Sequence, residues 1–270
     1  MRNKWIFYGS TLAAGLASLG LHRYMMDNCF DAKGLLISGN LPGYLLLAVG
    51  AAFVAVLAAM LRTIGGNGEY AVALPKDPVS GVLMLLGGLI LALGVPGVER
   101  TLAAELATAG NGGLQAISEM LLEVIPRLAA SAMGVMGICR IMGKRCSVVF
   151  GGIICLFYML MLVTNYRLWS ADPQLQDYAY QLLAQVMLML CSFHRTCCDA
   201  GVIQRKKLLA TGLTAAFCAM AALSMDFQRL FFLASALWAL GALCITDKLP
   251  EDPEEPEKEE KTEETEETEE

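Results

Sequence analysis

Eight apolar stretches recur along the 270 residues, each near the length a helix needs to cross a hydrocarbon core, and no other feature limits the fold so tightly. They lie near 5–21, 41–61, 79–98, 117–141, 147–164, 178–193, 208–224 and 230–246. Lipid offers the backbone no hydrogen bonds, so a chain with many such stretches must satisfy them internally as helices. Polar or Gly/Pro-marked connections separate the stretches, as in 62–78 with Gly65-Gly66-Asn67-Gly68 and in 165–177 with Asp172-Pro173. With 56% apolar and 17% charged residues, the chain exceeds what a single soluble core of this length can hide. The expected fold is all-α, a polytopic integral membrane helix bundle of about eight transmembrane helices over residues 1–247, placed in the cell membrane.

Residues 248–270 form a separate unit. The stretch Glu251 to Glu270 holds 13 acidic residues and 2 lysines, with no apolar residue able to seed a core. It is expected to be a disordered acidic cytoplasmic tail. The rest of the chain holds 18 basic and 13 acidic residues, so its balance is +5 although the whole chain carries -6.

Lys and Arg retained in cytoplasmic loops set orientation. One set of alternate connections, comprising the N-terminus, 62–78, 140–145, 195–207 and the tail, carries 14 of them, and the other set carries 5. Both termini are therefore expected inside, which requires an even number of spans. Arg2 and Lys4 ahead of the first stretch also fit a signal peptide. The run Trp5 to Leu21 exceeds an ordinary signal core and no A-x-A site closes it, so a retained first span is the expectation.

Helices in lipid associate through small residues. Ala51, Ala52, Ala55, Ala58 and Ala59 in the second stretch, Gly81, Gly87 and Gly88 in the third, Gly134 and Gly137 in the fourth, and Gly151 and Gly152 in the fifth are the candidate contact surfaces.

Two polar stripes interrupt the apolar pattern. Glu119, Glu123 and Arg127 are spaced by four and share a helix face, with Glu123 and Arg127 able to pair. Gln174, Tyr178, Gln181 and Gln185 recur at helical spacing on the sixth stretch. Tyr158, Asn165 and Tyr166 stand at comparable depth on the fifth. Unpaired charge in lipid is costly, so the Glu123–Arg127 stripe is expected to face the bundle, and the three helices to line an outward-facing polar cavity. The competing reading is an interhelical network that fixes packing and holds no ligand.

Catalytic chemistry finds little support. His22 and His194 are expected on opposite sides of the bilayer, and neither HExxH nor GxSxG occurs. Glu123-Val124-Ile125-Pro126-Arg127 resembles the E-E-x-x-x-R motif of the CAAX-protease and bacteriocin-processing family of intramembrane proteases. The sequence departs from that pattern at Leu122, which replaces the first Glu, and at His194 followed by Asp199, one residue beyond the family's H-x-x-x-D/N spacing. Cys197-Cys198 beside His194 lacks C-x-x-C spacing and reads as small apolar packing. No cofactor, metal or nucleic-acid partner is expected.

Three functions remain open: a small permease-like or solute-binding bundle, a membrane scaffold or accessory subunit of a larger envelope complex, and, remotely, an intramembrane protease. The expected partners are the lipid bilayer, a membrane protein or second copy of the chain, and a basic cytoplasmic partner for the tail. Internal repeats are absent, and Pro96 and Pro126 are the mid-span candidates for broken helices.

Overall fold

The computed structural model describes residues 2–29, 41–64, 68–108, 112–169, 178–224 and 228–243, with side chains described for 5–29, 41–64, 68–94, 124–167, 178–224 and 228–243. Among the described residues there are nine helices and no strand. They are α1 (Arg2–Asn28), α2 (Leu41–Arg62), α3 (Tyr70–Ala73), α4 (Pro78–Thr108), α5 (Gly112–Met142), α6 (Val148–Trp169), α7 (Ala179–Asp199), α8 (Arg205–Ala222) and α9 (Arg229–Ala242). Among the described residues each of the eight apolar stretches lies mainly within its own helix, and α3 is a single turn in the connection between the second and third. Among the described residues, three helices are long and apolar enough to cross a membrane: Leu41–Arg62, Val124–Met142 and Val148–Arg167. Pro78–Gly94 and Arg229–Ala242 are apolar but shorter. The acidic tail and the loop residues 109–111 and 170–177, Gln174 among them, lie outside the described residues.

Successive long helices alternate in direction. Tyr8 at the start of α1 donates to the carbonyl of Leu240 at the end of α9, 3.2 Å away, and lies 3.4 Å from Ser80 at the start of α4. Arg195 near the end of α7 donates to Ala242 at 3.4 Å, and Arg140 near the end of α5 donates to Leu243 at 3.2 Å. These contacts define the near end of the bundle. At the far end, His22 of α1 bonds Ser224 after α8 and stacks edge-on against Tyr180 of α7, while Asn165 of α6 meets Gln228 ahead of α9. The chain thus starts α1 and finishes α9 at the same end, as an even number of long helices requires.

Local chemistry explains the turns at the near end. Asp77 precedes Pro78 and accepts from the backbone N–H of Ser80 at 3.3 Å and from its hydroxyl at 2.7 Å, capping α4 behind a proline suited to the first helical position. Helices α5 and α7 finish alike. Gly143 (φ 71°) and Gly201 (φ 94°) adopt the left-handed conformation, and the following N–H groups of Lys144 and Val202 reach back to Cys139 and Cys197 at 2.9 and 2.8 Å. Helix α5 runs continuously through Pro126.

Helices α8 and α9 form the centre. Helix α8 packs on α1, α7 and α9, and α9 packs on α4, α7 and α8, while α4–α5–α6–α7 closes one side. Glycine sets the closest approaches, through two faces of α4. A methyl group at Gly88 would stand 2.8 Å from the Ala130 carbonyl of α5, and one at Gly87 2.8 Å from the Ala234 carbonyl of α9. Gly81 and Gly137 close the same α4–α5 seam, and Gly241 lies against Ser80 and Met84. The glycines expected to mediate packing do so on α4 and at Gly137 and Gly151. Gly152 has open space.

The alanine stripe of the second stretch is a correction. Ala51, Ala52, Ala55, Ala58 and Ala59 are all exposed, because α2 turns Leu46, Phe53 and Leu57 inward against α1 and the edge of α8. Phe53 stacks on Phe217 of α8 with ring centres 4.4 Å apart, so the aromatic and leucine face decides which way α2 turns.

Candidate functional site

Helix α7 is polar inside and apolar outside. Gln181, Ala184, Gln185, Leu188, Cys191, Ser192, Arg195, Cys198 and Asp199 fill its buried face at helical spacing, whereas Leu183 and Phe193 are exposed. Water would favour the opposite arrangement, and a hydrocarbon solvent favours this one.

At the near end this face finishes in an ion pair. Arg195 grips Asp199 with two donors, Nε to Oδ2 at 3.2 Å and Nη2 to Oδ1 at 3.4 Å, with the side chains 2% and 0% exposed. The remaining Arg195 donor takes the Ala242 carbonyl, one of the α9 carbonyls left without a helical partner. Tyr70 of α3 donates to Asp199 Oδ1 at 3.1 Å, and Arg145 donates to the Asp199 backbone carbonyl at 3.1 Å while lying over the Tyr70 ring. Two cationic and two neutral or anionic partners therefore lock the ends of α7 and α9 to the α3 and α5–α6 connections.

Burial, and behind it the negative charge of Asp199, pushes the Tyr70 phenol up to about 12. The folded protein holds Tyr70 neutral longer than the unfolded chain, whose phenol ionises near pH ~10. Its contribution is whole below that pH and is lost as pH climbs towards about 12. Tyr70→Phe should therefore lower stability by about 1–2 kcal/mol at neutral pH. In paired chemical-denaturation profiles, that gap should close across the alkaline window.

The middle of the bundle holds neutral polar groups. Tyr158 of α6 donates to Ser235 of α9 at 3.2 Å, and both are fully buried. The Tyr158 ring packs 5.7 Å from that of Trp238. Helices α7 and α9 run parallel, and the Arg195–Ala242 bond sets their register, so Gln185 falls level with Phe232, and Cys191 with Trp238. Gln185 and Trp238 are thus separated by ~9 Å along the axis at 1.5 Å per residue. Gln185 is 0% exposed, and neither its amide oxygen nor its amide nitrogen has a hydrogen-bond partner among the described residues. The indole N–H of Trp238 is in the same position.

The expected site residues separate into groups. Gln181 and Gln185 are buried on α7, Tyr178 is half-buried at its start, and Tyr158 and Asn165 are buried on α6. Tyr158 pairs with Ser235 of α9, and Asn165 exchanges two amide hydrogen bonds of 3.1 Å each with Gln228, just ahead of α9. Tyr166 is exposed. Arg127 is exposed on α5, because Ala129, Ala130, Met133 and Met136 take the buried face. The expectation that its stripe faces the bundle is corrected at Arg127. Glu119 and Glu123 lie outside the described side chains. Helix α5 packs on α4 and α6, and α7 packs on α6, α8 and α9, so α5 does not share the buried α7 face.

The chemistry at Arg195, Asp199, Tyr70 and Arg145 was hidden by a boundary. A span ending at 193 leaves Arg195 in a loop, whereas α7 continues to Asp199 and makes Arg195 and Asp199 an i, i+4 pair. Arg127 and His194 sit on helices that do not adjoin, and the inter-helix contacts place them ~15 Å apart along the bundle axis. Comparison with protein-family models, curated proteins and solved structures finds no match.

Proposed function

We propose that the chain is a cell-membrane protein of eight spans, with the near end of the bundle in the cytoplasm, that binds a small uncharged polar solute on the buried face of α7. The eight long helices, their alternation and the polar-inside character of α7 support the spans. The excess of Lys and Arg in the connections at the near end supports the orientation.

The observation that carries the binding reading is Gln185. An enclosed amide with no hydrogen bond destabilises the protein that holds it, so a partner brought by a solute repays that cost on binding. Within ~9 Å of it along the axis lie a phenol, a hydroxyl and an indole N–H, groups that select donors and acceptors and not charge.

Gln185→Leu tests this reading. The leucine variant should be more stable by about 1–3 kcal/mol without solute, since it removes an unsatisfied polar group. It should also lose the thermal stabilisation that the parent shows with one or more compounds in a screen of sugars, polyols, amides and nucleosides. A leucine variant that is less stable than the parent and equally stabilised by the same compounds would overturn the site.

A second reading, an accessory subunit of a larger envelope complex, is favoured by α2. Its exposed alanines form a smooth face of the kind that lets a second helix approach closely. A membrane protein copurifying in fixed ratio, and lost when Ala52 and Ala55 are replaced by Leu, would select it.

A further inference from the structure

The near end of the bundle presents cations from three connections that fold together. Lys76 lies beside the Gly143 turn, its Cβ 3.0 Å from where a Gly143 methyl group would stand, and Lys144 and Arg145 follow that turn. Arg145 reaches across to Asp199 and Gly201, after which Lys206 and Lys207 open α8. Lys76, Lys144, Arg145, Lys206 and Lys207 are all exposed. The carboxylates beneath them are committed, Asp199 to Arg195 and Tyr70, and Asp77 to the cap of α4. Glu69 is the one exposed carboxylate among the described residues of these connections, against the five exposed cations, so the surface charge is net positive.

Helix α9 delivers the chain to this same face, since Arg140 and Arg195 hold the Leu243 and Ala242 carbonyls there. The acidic run begins at Glu251, only eight residues beyond Leu243, a distance that an extended chain covers in ~26 Å. We infer that the acidic segment 251–270 docks on the lysine face of its own bundle, as an electrostatic cover that keeps this face from anionic lipid headgroups and other acidic partners. Exposed ion pairs are individually weak and screened by salt. Tethering compensates, because a short linker raises the local concentration of carboxylates at the lysines to the millimolar range or above. No fixed fold of the segment is needed.

The test uses the full chain in nanodiscs of phosphatidylcholine. Zero-length carbodiimide coupling at about 20 mM salt should join glutamates of 251–270 to Lys76, Lys144, Lys206 and Lys207, with a several-fold lower yield at about 0.5 M salt. Mixed isotope-labelled chains should show that these links lie within one chain. Truncation after Lys248 should speed acylation of Lys206 and Lys207 several-fold at low salt. Links confined to Lys258 and Lys261, links mainly between chains, or equal acylation with and without the segment would overturn the inference.

Discussion

Asp199→Leu and Arg195→Met should each destabilise the folded protein by about 3–5 kcal/mol, and the double substitution should recover most of that loss. The reason is the enclosure of the pair. Either single change leaves a full charge at a site 0–2% exposed, with no counter-charge in contact. Among the described residues, the side chain of Arg195 left alone keeps the Ala242 carbonyl, and that of Asp199 left alone keeps the Tyr70 hydroxyl. The double variant loses the ion pair and both desolvation costs together, while Arg145 still holds the backbone carbonyl of residue 199. Membrane abundance and thermal unfolding in mild detergent should rank parent, double variant and then the single variants. Equal, additive losses would mean that the two side chains do not meet.

Alanine at the glycines that line the α4–α5 and α4–α9 seams should be nearly as damaging, although alanine is the best helix former. The obstacle is backbone on the neighbouring helix, which cannot swing aside as a side-chain tip can. Gly88→Ala drives a methyl group towards the Ala130 carbonyl at 2.8 Å, and Gly241→Ala drives one towards the Ser80 carbonyl at 2.6 Å. Separating α4 from α5 or α9 to make room should cost about 1–3 kcal/mol per site. Gly50→Ala and Gly152→Ala, where nothing lies within 4 Å, serve as controls and should be neutral or slightly stabilising. Thermal unfolding of the four variants separates close packing from helix propensity.

Much of the helical architecture was legible because apolar length and Gly/Pro punctuation dictate it, and all eight stretches are helices. The ends were not. Helices α1 and α7 continue into charged sequence, since Arg23 finds Asp27 and the Ser224 carbonyl, and Arg195 finds Asp199. Hydropathy counts those charges against a helix, while the structure neutralises them in pairs.

Side-chain direction was legible in part. Gln181 and Gln185 turn inward because α7 has polar residues on one face only, and burying that face against α6, α8 and α9 leaves leucines outside. Arg127 shows the limit of the same argument. Charge in an apolar helix argues for an inward face, but α5 also carries Ala129, Ala130, Met133 and Gly137, and close packing on α4 through those residues decided its rotation. The alanines of α2 fail for a related reason, since Leu46, Phe53 and Leu57 made the stronger contact surface. Tyr70 and Arg145 were out of reach of any periodicity, being brought to Asp199 by the connections and not by a helix face.

The membrane arrangement is the claim on which the reading of α7 rests, and impermeant thiol labelling of intact cells tests it most directly. A cysteine at Asn111, between α4 and α5, should be labelled above the background of the parent chain, and one at Thr262 should be labelled only after the cells are opened. Labelling of Thr262 in intact cells together with protection of Asn111 would contradict the orientation, and labelling of both would contradict the even number of crossings.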